Sequence, residues 1–264
     1  MTSSELRHEI IKQANNYTLR KGFQEPNHYF HSPGGVVIFK KYDQDKKHGN
    51  FLDASFDVIM NTSWKAKFEK LHTHFHDGTK ELDSCNSSDA LLMNIFCHPR
   101  ISEWKGIREM FGGDNLKKIK FGCMPKISKN INKFDNTEID MCSTTFFVEA
   151  KLTEPDFTSK KKSVVESYID FETVFDREKL NPSDSVYHNY QLIRNILTLK
   201  KYNDKDFYLI CDQRRSDMIS SFNVTLACVK EDRLKARCHL VFWQEITERS
   251  GKDLKEFLQE KYGF

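Results

Sequence analysis

The chain has 264 residues, 38% hydrophobic and 30% charged, with 41 Lys and Arg against 38 Asp and Glu for a formal net charge of +3. Its length suits one large domain or a core with an appended subdomain, and its apolar content, 21 Phe included, excludes a disordered chain. A charge so near balance excludes binding of acidic polymers by the whole surface, so any such contact needs a locally basic face. Seven Cys cannot all pair among themselves, and no two stand as CxxC. There is no apolar leader and no run of 18 apolar residues. The expectation is a reduced cytoplasmic protein with free, structural thiols and no membrane association.

In chain order, residues 3–16 read as an amphipathic helix with Leu6, Ile10 and Ile11 on its apolar side and Ser3 or Ser4 as its cap. Pro33-Gly34-Gly35 is a turn before a strand over 36–39, and 40–50 is a charged connection. Residues 51–75 are mostly helical, with Phe56, Ile59, Met60, Trp64, Phe68 and Leu71 near the 3.6-residue period. His72, His74 and His76 alternate as ligands on a strand would, but no distant Cys or acid completes a set, and a polar loop is expected. Ser87 or Ser88 caps a helix over 89–96, and a helix over 102–111 stops at Gly112-Gly113.

A strand is expected over 118–123, a polar loop over 125–136, and two adjacent strands over 138–142 and 146–152, the second ended by Glu154-Pro155. Residues 158–179 show no clear period. Ser183 or Asp184 opens a helix to Lys200 whose stripe is Val186, Tyr190, Ile193 and Leu197. The unbroken apolar run 207–211 is a buried strand, followed by the basic loop 212–216. A helix over 217–229, a sheet-extending strand over 238–243 and a closing helix over 252–262 complete the chain.

The stretch 137–154 carries the chemistry. Alternation places Phe146, Val148, Ala150 and Leu152 on one strand face and Phe147, Glu149 and Lys151 on the other. With a turn near 143–145, Asp140 lies close to Glu149 across the pair. Two carboxylates are hard oxygen ligands suited to Mg²⁺, which Mn²⁺ can replace, and the Ala150 carbonyl between the side chains adds a third donor. Lys151 stands where it can stabilise charge on a phosphate. The plain alternative is an ion pair on a solvated sheet face. Acid-x-Lys also occurs at Asp45, Glu103 and Asp253, but only Glu149 sits in an apolar run with an acid one strand earlier.

Asp140, Glu149 and Lys151 resemble the motif of the PD-(D/E)XK nuclease superfamily, with Ile139 in place of the motif's Pro. The flanks of both strands, and 87–96, are similar to a restriction-endonuclease-like branch. The resemblance covers roughly 50–215. It implies an α/β (α+β) fold with a mixed central sheet flanked by helices in the order αβββαβ. Residues 87–215 would form this nuclease core, with a mainly helical region over 1–86 and a C-terminal extension over 216–264. It implies Mg²⁺-dependent cleavage of double-stranded DNA, with Asp140, Glu149 and Ala150 holding the metal and Lys151 aiding attack by water. A polar residue on the following helix makes Gln191 a fourth catalytic candidate, and Glu103, Glu109 and Glu138 are candidates for a further acid. A homodimer would serve double-strand cutting. A repair nuclease, an exonuclease and a non-catalytic nucleic-acid-binding protein on the same fold are the rival readings. The stretches 117–120 and 160–162 would supply basic flanks.

Overall fold

A computed structural model describes residues 1–42, 47–72, 78–113, 116, 118–130, 133–180 and 185–264. The chain divides into two compact units. One is Lys118–Phe242 together with Met1–Thr2; the other joins Ser3–Lys117 to Trp243–Phe264. The expected segments 1–86, 87–215 and 216–264 do not coincide with these units, because the last two helices return to the N-terminal region.

The mainly helical unit begins with α1 (Ser3–Arg20), the antiparallel pair β1 (Tyr29–His31) and β2 (Val37–Phe39), and the pair β3 (Lys41–Tyr42) and β4 (Lys47–His48). Next come α2 (Asp53–Met60), α3 (Lys65–Phe68), α4 (Ser88–Phe96) and α5 (Lys105–Met110). Of the stretch 51–75 expected as mostly helical, α2 and α3 are helical, with Asn61 capping α2 and the chain turning before Lys65. The Ser87 hydroxyl accepts the Ala90 N–H at 3.1 Å, the cap foreseen for α4. His74 and His76, like Asp45 and Lys117, lie outside the described residues.

The sheet-bearing unit contains β5 (Lys120–Cys123), β6 (Ile127–Lys129), β7 (Lys133–Asp135), β8 (Ile139–Cys142) and β9 (Phe146–Ala150). β10 (Lys160–Lys161), α6 (Lys162–Val165), α7 (Phe171–Val174), β11 (Val186–Tyr187), α8 (Tyr190–Lys201) and β12 (Asp206–Cys211) follow. α9 (Ser216–Ala227), α10 (Asp232–Lys235) and β13 (Cys238–Phe242) close it, and α11 (Trp243–Arg249) and α12 (Lys252–Tyr262) belong to the helical unit. Five strands form a mixed sheet in the order β13-β12-β9-β8-β5. β5, β8 and β9 are antiparallel neighbours, whereas β9, β12 and β13 run parallel. The short β8–β9 link is a tight turn in which the Ser143 hydroxyl accepts the Thr145 and Phe146 N–H groups, each at 3.1 Å. A parallel neighbour needs a long crossover instead, and α8 supplies it between β9 and β12.

Packing decides where the elements depart from expectation. Ile127–Lys129 and Lys133–Asp135 pair as the antiparallel ribbon β6–β7 where a polar loop was expected, because the backbone of 167–169 pairs with the first strand and its end: Asn130 N–H donates to Ser167 O at 2.7 Å and Ile169 N–H to Ser128 O at 3.3 Å. α8 begins at Tyr190, since Val186–Tyr187 pairs with Lys160–Lys161 and Asn189 is left-handed at φ 56°. Ser183 and Asp184 lie outside the described residues. α8 is buried along nearly its whole length against Phe147, Phe207 and Leu209 of the sheet.

The expectation of seven free thiols is corrected. Cys123 and Cys142 form a disulfide between the neighbouring strands β5 and β8, with their Cα atoms 6.1 Å apart. Their separation of 19 residues hides a proximity that only strand pairing creates. Cys85, Cys97, Cys211, Cys228 and Cys238 are free and buried. Among the described residues no helix is long and apolar enough to cross a membrane.

Candidate active site

The antiparallel register Met141↔Val148 and Cys142↔Phe147, continued by one step, sets Asp140 across from Glu149. The Asp140 side chain closes the ladder there, its Oδ2 accepting the Ala150 N–H at 2.8 Å. Gly122 of β5 falls on the other side of Asp140, between the pairs Phe121↔Met141 and Cys123↔Ile139. Its φ is +71°, and a Cβ there would meet the Glu138 carboxylate at 3.0 Å, so glycine is required. Glu138 thus lies against β5.

Glu149 and Lys151 are only 3% and 6% exposed, which rules out an ion pair on a solvated face. Lys151 Nζ donates to Glu149 Oε1 at 2.8 Å. Burial alone would lower the Lys151 ammonium, but the carboxylates of Glu149, Asp140 and Glu154 outweigh it and hold the group above its ordinary value. Lys151 is therefore a cation at neutral pH, suited to stabilising negative charge and not to taking a proton. Three carboxylates around one ammonium leave a local surplus of negative charge.

Glu149 is fixed from the other side by α8. Its Oε2 accepts from Asn195 Nδ2 at 2.9 Å, while Asn195 Oδ1 accepts from Arg194 Nη1 at 3.0 Å. Because a guanidinium only donates, this contact sets the orientation of the amide and turns its NH₂ toward Glu149. Arg194 also donates to Thr137 O and lies 3.6 Å from Asp135 Oδ1. Asp135 accepts from Lys129 at 2.8 Å, Tyr168 at 2.6 Å and Tyr190 at 3.2 Å. Burial disfavours its charge, yet the bonds from Lys129, Thr137 and Tyr168 prevail and hold the carboxyl well below the usual range. One buried polar chain thus links the approach to β8 with the acid on β9.

The segment after β9 is clamped from β12. Buried Arg215 donates to Leu152 O at 3.3 Å and Glu154 O at 2.9 Å, and Arg214 makes a paired contact with buried Asp212. In the basic loop 212–216, Asp212 and Arg215 are buried, Arg214 is half-buried, and Gln213 and Ser216 are exposed. Gln191 lies one helical turn before Asn195, half-buried, and its Oε1 is shielded from solvent with no hydrogen-bond partner among the described residues.

A family model described as "Restriction Endonuclease associating with ARP" matches residues 8–263. The chain belongs to that family. No curated protein and no solved structure matches it. The match accords with a chain that combines helices with a mixed five-stranded sheet. Asn195, Arg194 and Asp135 escaped the sequence reading; the available signal was the four-residue spacing of Gln191 and Asn195 on one helix face. Glu103 and Glu109 are exposed and paired with Arg100 at 2.9 Å and Lys105 at 3.6 Å within the helical unit. Among the described residues, no group of three or more His, Cys, Asp or Glu forms a ready metal cage.

Proposed function

We propose that this family member is a Mg²⁺-dependent endonuclease of restriction or defence type that hydrolyses phosphodiester bonds of double-stranded DNA. The observation that carries the reading is the buried Glu149–Lys151 pair with Asp140 on the adjoining strand. Such a donor set fits Mg²⁺, which binds through one or two carboxylates, keeps several waters and takes the rest of its shell from substrate phosphate. Asp140, Glu149 and the Ala150 carbonyl would hold the ion, and the surplus of carboxylate over ammonium favours a divalent cation. When bound, the ion polarises the phosphodiester and lowers the pKa of a coordinated water.

The chain's own groups do the rest. Lys151, held protonated, stabilises charge developing on the phosphate. Gln191, one helical turn before Asn195, would accept a hydrogen bond from the attacking water through its Oε1 and so orient it. Asn195 keeps Glu149 in a single rotamer, and Arg194 keeps Asn195 in a single orientation. The family's description makes ARP the partner to expect beside it.

Supercoiled plasmid incubated with the purified protein should become nicked or linear with Mg²⁺ or Mn²⁺ and stay intact with EDTA. A folded protein that cuts no DNA with any divalent ion would overturn the proposal and leave a nucleic-acid-binding protein as the reading.

A further inference from the structure

The hairpin β6–β7 carries a surface that the proposed chemistry does not use. In its register Ser128 faces Phe134, and Ile127 faces Asp135. Cross-strand partners share a face, so Ile127 and Asp135 turn inward, where both are buried. Phe134 is on the opposite face, 54% exposed, and the neighbouring Ile169, whose N–H bonds to Ser128 O, is 58% exposed. Phe134 and Ile169 thus leave two large apolar side chains in water beside a ribbon of only two strands.

The charge around it is positive. Lys126 shares the row of Ser128 by alternation, and Lys133, though in the row of Asp135, is exposed at the end of the ribbon; neither forms an ion pair among the described residues. Exposed Lys201, at the end of α8, donates to Lys126 O at 2.5 Å and adds a third ammonium. The acid of the ribbon, Asp135, points inward and is neutralised by Lys129 at 2.8 Å. Residues 118–242 hold 21 Lys and Arg against 18 Asp and Glu, so the whole net charge of the chain resides in this unit. Only three residues separate β7 from β8, the strand of Asp140.

We propose that β6–β7 is a DNA-contacting ribbon that docks on duplex DNA, with Phe134 as its apolar contact in a groove and Lys126 and Lys133 on the flanking phosphates. A two-stranded ribbon fits a duplex groove, apolar side chains serve as wedges against base steps, and lysines supply salt-dependent affinity. This inference rests on the nuclease reading for its choice of partner. The inward anchors of the ribbon, Asp135 through Arg194 and Asn195 to Glu149, make it continuous with the candidate site.

The test is fluorescence anisotropy of a labelled duplex with Ca²⁺ in place of Mg²⁺, over a range of salt, beside plasmid cleavage with Mg²⁺. Phe134→Ala should bind at least about 10-fold more weakly with an unchanged salt slope, since stacking and apolar contacts are not salt-linked. Phe134→Trp should retain binding. The double variant Lys126→Ala/Lys133→Ala should lower the slope of log Kd against log salt by about 2. All three positions are exposed, so these variants should melt with the parent. Parent-like binding by Phe134→Ala, in a protein that still cuts, would overturn the ribbon and leave the nuclease reading standing. A parent that binds duplex but never cuts would overturn the nuclease reading and leave the ribbon. A parent that does neither would overturn both.

Discussion

Asp140→Asn separates a chemical role for Asp140 from a structural one, because the structure assigns the side chain a bond that the variant can keep. Asp140 Oδ2 accepts the Ala150 N–H at 2.8 Å. The amide oxygen of Asn can occupy the same place. The bond then changes from an ionised to a neutral acceptor, a loss of about 1 kcal/mol. Asp140→Ala instead strands the Ala150 N–H and should cost about 1–3 kcal/mol. Against a typical stability of about 5–15 kcal/mol both variants should remain folded. Cleavage should respond on a different scale. Removing one of two proposed metal carboxylates should slow it on the order of 10³-fold, about 4 kcal/mol of transition-state stabilisation. Duplex affinity without metal should hold or rise, since a repulsive charge beside the phosphate is gone. The assays are thermal melting, plasmid cleavage with Mg²⁺, and duplex binding in EDTA. Parent-like turnover by folded Asp140→Asn would refute the assignment.

Val148 is fully buried beside Glu149, so Val148→Asp should destabilise by roughly 3 kcal/mol or more, read as the urea midpoint; an unchanged midpoint would show that β9 is not buried at Val148. Asn195→Ala removes the bond to Glu149 and strands Arg194 Nη1. It should cost about 2–3 kcal/mol and slow cleavage about 10–100-fold; full turnover would show that Glu149 needs no such support. Asp135 is held below its ordinary value in the folded state, so its contribution is present above pH about 4 and is lost as pH falls below that. Asp135→Asn should therefore be less stable than the parent at pH 7, with a gap that narrows toward pH 2 in urea titrations; a constant gap would exclude a role for the charge.

Much of the sheet was legible because its strands obey local rules. The alternation of 146–150 and the apolar run 207–211 place β9 and β12, and a polar turn at 143–145 joins β8 to β9. What escaped depends on contacts remote in sequence. Residues 125–136 look like a loop until the backbone of 167–169 is laid beside them. Asn195 looks like one more polar residue in a helix until Glu149 is placed under it. Glu149 of β9 and Lys151 just after it read from sequence as a catalytic unit with a solvated ion pair as the alternative, and only the fold shows that both are buried. The Cys123–Cys142 bridge needs the β5–β8 pairing.

The division of the chain has a consequence for synthesis. Residues 118–242 form one uninterrupted stretch, whereas the helical unit is assembled from Ser3–Lys117 and Trp243–Phe264. Within that unit Tyr17 of α1 meets Phe257 of α12 edge to face, and Lys21 pairs with Glu260 at 2.7 Å. Chains leave the ribosome from the N-terminus at about 5–20 residues per second, and domains fold as units. The sheet-bearing unit is therefore complete while the helical unit still lacks its last two helices. Ser3–Lys117 is made before the sheet-bearing unit but reaches its full set of partners only after it, when α12 brings Phe257 to Tyr17.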